Sequence, residues 1–554
     1  MYRVLGALAL LSFAASAQKQ PLTVNQMMKL ARISDPQLSP DAQTVLFTVQ
    51  TVDLEKNSKP RQIYSIPVAG GSPHAITSQG NNERPRWMPD GKRVVFISSR
   101  GGSTQVWSMN PDGGEPKQLT DIPTEAGGVL VSPDAKYLVF QSSVYPECSL
   151  SGAYDADCNK KAIEAEGKSK VKARVYTSLL YRHWTEYQSQ RRQHLLSMPL
   201  EGGPVKDLTP GNRDAPPFSL GGEDYAISPE SNEVCYALNA DTDLATSTNS
   251  DLYAVPIGGG ESKKLTTNLA ADNGPVYSPD GKYLAYRAQS RPGYESDRWR
   301  LVLLERATGK LNILTESLDR SVGSIVWSPD SKRVFFVSED RGRHQLQMMP
   351  AAGGGQRIIV NGAVSVDDVQ FSKDSKILIY TEQSGKAPAE IMKASSSGGP
   401  PQALTHLNDA VLADAGLQPL EEISVEGAEG AKVAAFVVKP PQFAADRKYP
   451  VLFLIHGGPQ GAWGETWSYR WNPQVFAAAG YVVVMPNPRG STGYGQKFTD
   501  EINADWGGRA FDDILAVVDH VAKQPWADPG RFAAAGGSYG GYMVNWLLGH
   551  TEKF

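Results

Sequence analysis

The 554-residue sequence predicts a seven-bladed β-propeller followed by a partial α/β-hydrolase domain, all-β and then α/β. Three observations carry that expectation. A strand-and-turn pattern recurs seven times over residues 37–410. After about Glu421 the rhythm changes to strands alternating with helix-like segments. A glycine-flanked serine, Gly536-Gly537-Ser538-Tyr539-Gly540, then stands between a strand and an apolar helix. The length exceeds what one hydrophobic core organises, so two or more domains are required. A formal net charge of -4 offers no basic field for nucleic acid, and recognition must be local.

The repeat has two halves. The first is a turn followed by an alternating strand, as in "WMPDGKRVVFISS", "YSPDGKYLAYRAQ" and "WSPDSKRVFFVSE". Pro, Asp and Gly supply the fixed or permissive φ of a turn, and alternate apolar residues suit a half-buried strand. The second half is a strand and a glycine turn that often closes on Leu-Thr, as in "VWSMNPDGGEPKQLT" and "LYAVPIGGGESKKLT". Seven such pairs match one four-stranded blade per repeat, whereas a stacked β-solenoid has shorter repeats. The third copy breaks step: its halves, at Ser132 and Leu195, lie 63 residues apart. An insertion at about 148–190 is therefore expected in blade three, and insertions on a rigid scaffold are where binding residues tend to sit.

The first 17 residues, one cation followed by an apolar run and Ala15-Ser16-Ala17, read as a signal peptide cut after Ala17. They are too short to span a bilayer, so the expectation is an exported protein, periplasmic or extracellular, with no membrane span. Residues 18–36 form an N-terminal segment before the propeller. Cys148 and Cys158 are close enough in sequence for one loop-closing disulfide, the alternative being two free thiols, and Cys235 is left over in a strand-like stretch. No paired histidines or second cysteine cluster accompany them, so no metal and no cofactor are expected. The acids of "ADTDLATSTNSD", residues 240–251, lack a calcium-loop spacing and read as a polar loop.

Residues 411–554 carry the chemistry. "YPVLFLIHGGP" and "GYVVVMPNPRG" contain runs of the fully buried kind, "GGRAFDDILAVVDHVAKQ" is helical in period, and "RFAAAGGS" is a strand running into Ser538. A serine on a tight strand-to-helix turn at the carboxyl edge of a sheet is a candidate nucleophile, with glycines where side chains would collide. Acyl transfer also needs donors aimed at the developing oxyanion. The N–H of Tyr539 and that of Gly458, in the loop after "VLFLI", are the candidates. His456 sits in that loop and is read as a prop for it, not as the general base. In the order Ser, Asp or Glu, His, both partners follow the serine; His550 lies twelve positions along the helix, about 18 Å away at 1.5 Å per residue. The expectation is thus of a fragment truncated after the nucleophile helix and inactive as it stands.

The motifs "HGGP" at 456–459, "NPRGSTGYG" at 487–495, "DWGGRAFDD" at 505–513 and "GGSYGGYM" at 536–543 resemble the prolyl oligopeptidase family of serine peptidases. The likeness is to its acylaminoacyl-peptidase and bacterial dipeptidyl-peptidase branch, and with the propeller it spans nearly the whole mature chain. It implies Ser538 as nucleophile, Tyr539 and Gly458 as oxyanion donors, and short peptides as substrates admitted beneath the propeller. A dipeptidase must pair the buried ammonium of its substrate with a carboxylate. Glu186, beside Arg182, His183 and Trp184, is the candidate for the substrate amino terminus. A propeller binding module with a vestigial hydrolase half, and a carboxylesterase on the same machinery, are the competing readings. Oligomeric state is not assigned.

Overall fold

The computed structural model describes residues 19–150, 152–217, 224–396 and 400–554. The predicted signal peptide lies outside these residues. Five four-stranded antiparallel sheets and one eight-stranded sheet follow one another along the chain to Ala403. Within the eight-stranded sheet, two halves are joined by a single bridge, His344 to Ser365. The first sheet packs on the last: Ile33, Val45, Phe47 and Ile66 share a core with Ile379, Ile391 and Leu404. Gln370 reinforces this seam, accepting the Leu38 N–H at 2.9 Å and donating to Pro36 O at 2.8 Å.

The repeated sequence has a repeated physical cause. In the turns that open on serine, Ser39, Ser132, Ser278, Ser328 and Ser372 each donate to the aspartate two positions on, at 2.5–2.7 Å. The serine oxygen then accepts backbone N–H groups of the next strand. The fourth turn residue takes a left-handed φ near 60° to 70° at Ala42, Gly91, Ala135, Ser231, Gly281, Ser331 and Ser375. A Leu-Thr or Ile-Thr pair closes six of the units: the hydroxyls of Thr77, Thr120, Thr209, Thr266, Thr315 and Thr405 each accept the N–H of the residue fourteen positions earlier. A side chain thereby satisfies a strand amide that the two- or three-residue outer strand is too short to reach.

The third sheet carries the insertion between strands Tyr137–Val144 and Arg192–Pro199. Cys148 and Cys158 are joined by a disulfide, with Cα atoms 5.5 Å apart. Between them Asp155 caps helix α1 (Ala156–Lys168), accepting the Cys158 N–H at 2.9 Å. A small hairpin follows, pairing Arg182 with Tyr187 and His183 with Glu186. Cys235 is free and buried in the fourth sheet.

From Glu421 the chain forms a five-stranded sheet: β1 (Glu421–Glu426), β2 (Lys432–Val438), β3 (Tyr449–Ile455), β4 (Val482–Asn487) and β5 (Ala527–Gly536). Their order is β1-β2-β4-β3-β5, antiparallel as far as β4 and parallel among β4, β3 and β5. Helices α2 (Pro473–Ala478), α3 (Arg509–Ala522) and α4 (Tyr539–His550) cover it. Alternate residues of β3 serve two cores. Val451, Phe453 and Ile455 face α3 and α4 through Ile514, Val517 and Met543, whereas Leu452 and Leu454 meet Phe436 and Ala477 on the other face. That two-sided burial is why β3 and β4 read as unbroken apolar runs. Among the described residues no helix is long and apolar enough to cross a membrane.

Candidate active site

β3 and β5 run parallel in a register that pairs Ile455 with Gly536. The loop after β3 and the turn after β5 therefore leave the sheet at the same carboxyl edge. Ser538 occupies that turn at φ 57° and ψ −124°, a left-handed conformation that a residue with Cβ adopts only under strain. Its neighbours explain how the turn closes. A Cβ at Gly536 would lie 2.6 Å from the Gly540 carbonyl, and one at Gly540 would collide with Ile455 O. Only hydrogen fits at both places, so the first turn of α4 presses directly on the end of β3. Ser538 is exposed, and its hydroxyl has no hydrogen-bond partner among the described residues.

Tyr539 opens α4 with its ring turned away from the serine. The phenol is 3 % exposed and donates to Trp506 O at 2.9 Å, and burial holds its pKa above the ordinary value. Its backbone N–H, in the first turn, engages no acceptor among the described residues. The loop after β3 passes over Ser538: a Cβ at Gly457 would stand 3.3 Å from Ser538 Cβ and 3.9 Å from Oγ. Gly458 holds φ at +125°, where a side chain is disfavoured, and its N–H likewise has no acceptor among the described residues.

The loop is held from behind. Nδ1 of His456 lies 2.8 Å from Gly457 O and Nε2 lies 3.0 Å from Ser491 Oγ. Burial lowers the pKa of this imidazole, only partly offset by the Gly457 carbonyl, so it is neutral at pH 7. With both ring nitrogens occupied, His456 braces the loop. Ser491 belongs to the "NPRGSTGYG" segment, which is itself pinned by Arg489. That guanidinium, 2 % exposed, meets the fully buried Asp513 of α3 at 2.9 and 3.0 Å, and Asp513 also accepts the Ala428 N–H at 3.0 Å. The Asn487 amide bridges Trp463 O and Tyr494 Oη, each at 2.9 Å.

A cavity of about 560 Å³ adjoins this edge. Leu180 and His183 of the insertion form one side, Arg213 and Asp214 another, and Tyr294 and Gln460 complete it, Gln460 being two residues beyond Gly458. The polar loop 240–251 supplies further lining. Nearby, the two halves of the chain are fastened together: Arg291 meets Asp500 with two bonds of 2.8 Å and Asp297 with a third.

The structure thus brings Ser538, the Tyr539 and Gly458 amides and His456 to one edge. Glu186 and Arg182 are exposed on the hairpin and do not line the cavity. Among the described residues no group of three or more His, Cys, Asp or Glu could hold a metal ion. Sequence reasoning missed Asp214 and the Arg291–Asp500 fastening, because neither has a local pattern; each joins segments far apart in the chain.

Comparison with known proteins places these features. A prolyl oligopeptidase family model matches residues 467–554, and a TolB β-propeller domain model matches residues 15–171. Dipeptidyl-peptidase 5 of Porphyromonas gingivalis is 33% identical over 559 residues, covering 99% of this chain and 80% of the relative. The enzyme of that name from Trichophyton equinum is 29% identical, covering 98% of this chain and 78% of the relative. Among solved structures, Pyrococcus horikoshii acylaminoacyl peptidase superposes with a TM-score of 0.77 at 19% identity, covering 96% of this chain and 77% of that one. A Mycobacterium tuberculosis puromycin-hydrolyzing peptidase gives 0.68 at 16%, covering 97% and 78%. The fold is a β-propeller joined to a hydrolase domain. On this footing the chain belongs to the prolyl oligopeptidase family, in its dipeptidyl-peptidase 5 and acylaminoacyl-peptidase branch.

Proposed function

We propose that the protein is an exported serine peptidase that hydrolyses short peptides near their amino termini, of the dipeptidyl- or acylaminoacyl-peptidase type, through an acyl-enzyme on Ser538. The observation that carries this reading is Ser538 itself: an exposed hydroxyl on a strained strand-to-helix bend, with the glycine loop passing over it. In the reaction, Ser538 Oγ attacks the scissile carbonyl carbon while its proton passes to a base. The carbonyl oxygen, now an oxyanion, takes hydrogen bonds from the N–H groups of Tyr539 and Gly458. Collapse expels the amine with a proton and leaves an ester on Ser538; water then attacks that ester and restores the serine.

The names of the relatives and fold neighbours support peptide hydrolysis of this type. The eight-stranded sheet, counted as two units joined by one bridge, supports a seven-bladed propeller over about residues 37–410, with residues 411–554 as the catalytic domain. Export is supported by the three-part pattern of the first 17 residues and by the Cys148–Cys158 bond, which persists in oxidising compartments.

Incubating the protein purified from its native source with free-amine peptides, N-acetylated peptides and a nitrophenyl ester, and following products by mass spectrometry, tests the reading. Release of dipeptides or acyl-amino acids, abolished by Ser538→Ala, is expected. Cleavage of the ester alone would convert the assignment to an esterase.

A further inference from the structure

Two carboxylates line the cavity beside the glycine loop without a salt bridge, the exposed Glu295 and the half-buried Asp214, and only Asp214 is set back from solvent. Asp214 accepts the Gln193 N–H at 2.7 Å, yet it forms no salt bridge among the described residues. Burial pushes its pKa up, and the Gln193 amide, the fields of Arg192 and His194 and a hydrogen bond from the Gln188 side chain only partly counter that. Three of the fully buried carboxylates are paired: Asp207 with His194 at 2.7 Å, Asp297 with Arg291 at 2.8 Å, and Asp513 with Arg489 at 2.9 Å. Asp224, Asp272, Glu390 and Glu465, which also lack a salt bridge, are not among the residues lining this cavity. Arg213, next in sequence, is turned to Asp241 O at 2.9 Å, so it does not neutralise Asp214.

The rest of the cavity suits the end of a peptide. Leu180 and Pro217 offer apolar surface, and Tyr294 and Gln460 lie toward the loop that crosses Ser538. We propose that Asp214 binds the free α-ammonium group of a peptide substrate whose chain runs from this cavity past Gln460 toward Ser538. This rests on the peptidase reading above and deepens it by naming what selects the substrate. A half-buried carboxylate is costly alone and gains a partner when an ammonium arrives; a strongly hydrated ammonium enters such a space only if paired. An N-acylated peptide brings no charge and leaves Asp214 uncompensated, so the site discriminates against it.

The test measures binding by calorimetry in a Ser538→Ala background, where no turnover interferes. The probes are an alanine-based pentapeptide with a free amino terminus and its N-acetyl derivative. The free-amine peptide should bind at least about ten-fold more tightly. Asp214→Asn should erase that preference while leaving the acetylated peptide within about two-fold, and Asp214→Glu should retain part of it. Glu186→Gln should change neither. Equal binding of the two peptides to the unmodified cavity, no binding of the free-amine peptide, or equal losses for both on Asp214→Asn would overturn the assignment. Fluorophosphonate labelling of the Ser538 and Asp214→Asn proteins is read separately. Absence of labelling in both sinks the peptidase reading and leaves the binding result to stand or fall alone. Retained labelling in Asp214→Asn shows that the variant is folded.

Discussion

Replacing Ser538 by glycine and by alanine separates the strain of the bend from the chemistry of the hydroxyl. Both variants lack Oγ, so they differ only in what the backbone tolerates. Alanine must hold φ 57° and ψ −124° with a Cβ in place, whereas glycine reaches that region freely. Such a conformation costs about 1–3 kcal/mol. Glycine returns about 0.5–1 kcal/mol of that through the greater freedom of its unfolded chain. Ser538→Gly should therefore be more stable than Ser538→Ala by up to about 2.5 kcal/mol, a midpoint difference of up to about 10 °C for a unit of this size. Scanning calorimetry and urea titration of the two variants give the comparison directly. If Ser538→Ala proves as stable as Ser538→Gly or more so, the bend is not strained and the account of it is wrong.

Gly540→Ala drives a methyl group into the Ile455 and His456 carbonyls; a loss of about 1–3 kcal/mol is expected, with faster hydrogen exchange across 456–461, and unchanged exchange would refute the close packing. Asp272 is fully buried and one of its oxygens has no partner; burial pushes its pKa up to about 6. With the folded value above the unfolded value of about 3.9, stability falls as pH rises from about 4 to about 6. Asp272→Asn should remove that slope and stabilise the protein by about 3 kcal/mol at pH 7, read from urea midpoints at pH 4.5 and 7. Burial alone would raise Asp297 and Asp500, yet the hydrogen bonds from Arg291 and neighbouring groups leave both below the ordinary value. Their contribution is complete above about pH 4 and is lost as pH falls through the depressed values. Asp500→Asn should cost about 1 kcal/mol at pH 7, given the exposure of Arg291, and that difference from the unaltered protein should shrink as pH falls, read from urea midpoints.

The second and third strands of each sheet were legible because they alternate or run apolar, and their turns repeat. The innermost strands were not: Asn82–Trp87, "NERPRW", and Asp272–Tyr277, "DNGPVY", mix charge, proline and glycine. They bend at bulges, between Glu83 and Arg86 and between Asn273 and Val276, so no period of two survives. Outer strands such as His74–Ala75 are too short for any period. In the hydrolase part, continuous burial made β3 and β4 readable, and the glycines marked the bend at Ser538. The cavity was invisible from sequence. It joins the hairpin near residue 183, the segment at 213–217, the loop at 293–296 and Gln460, and only the circular packing of sheets brings these together. Glu186 drew attention through its charged and aromatic neighbours in sequence, but hairpin pairing leaves it in solvent. Asp214, in the unremarkable "GNRDAPP", gains its interest from its place in that cavity without a salt bridge.

The central claim is that Ser538 is the nucleophile. Treating the protein purified from its native source with a fluorophosphonate, digesting with trypsin and locating the adduct by mass spectrometry tests it most directly. The account predicts a single phosphonylated peptide, residues 532–553, with the added mass on Ser538. An adduct on any other serine, with peptide hydrolysis lost in step, would contradict it.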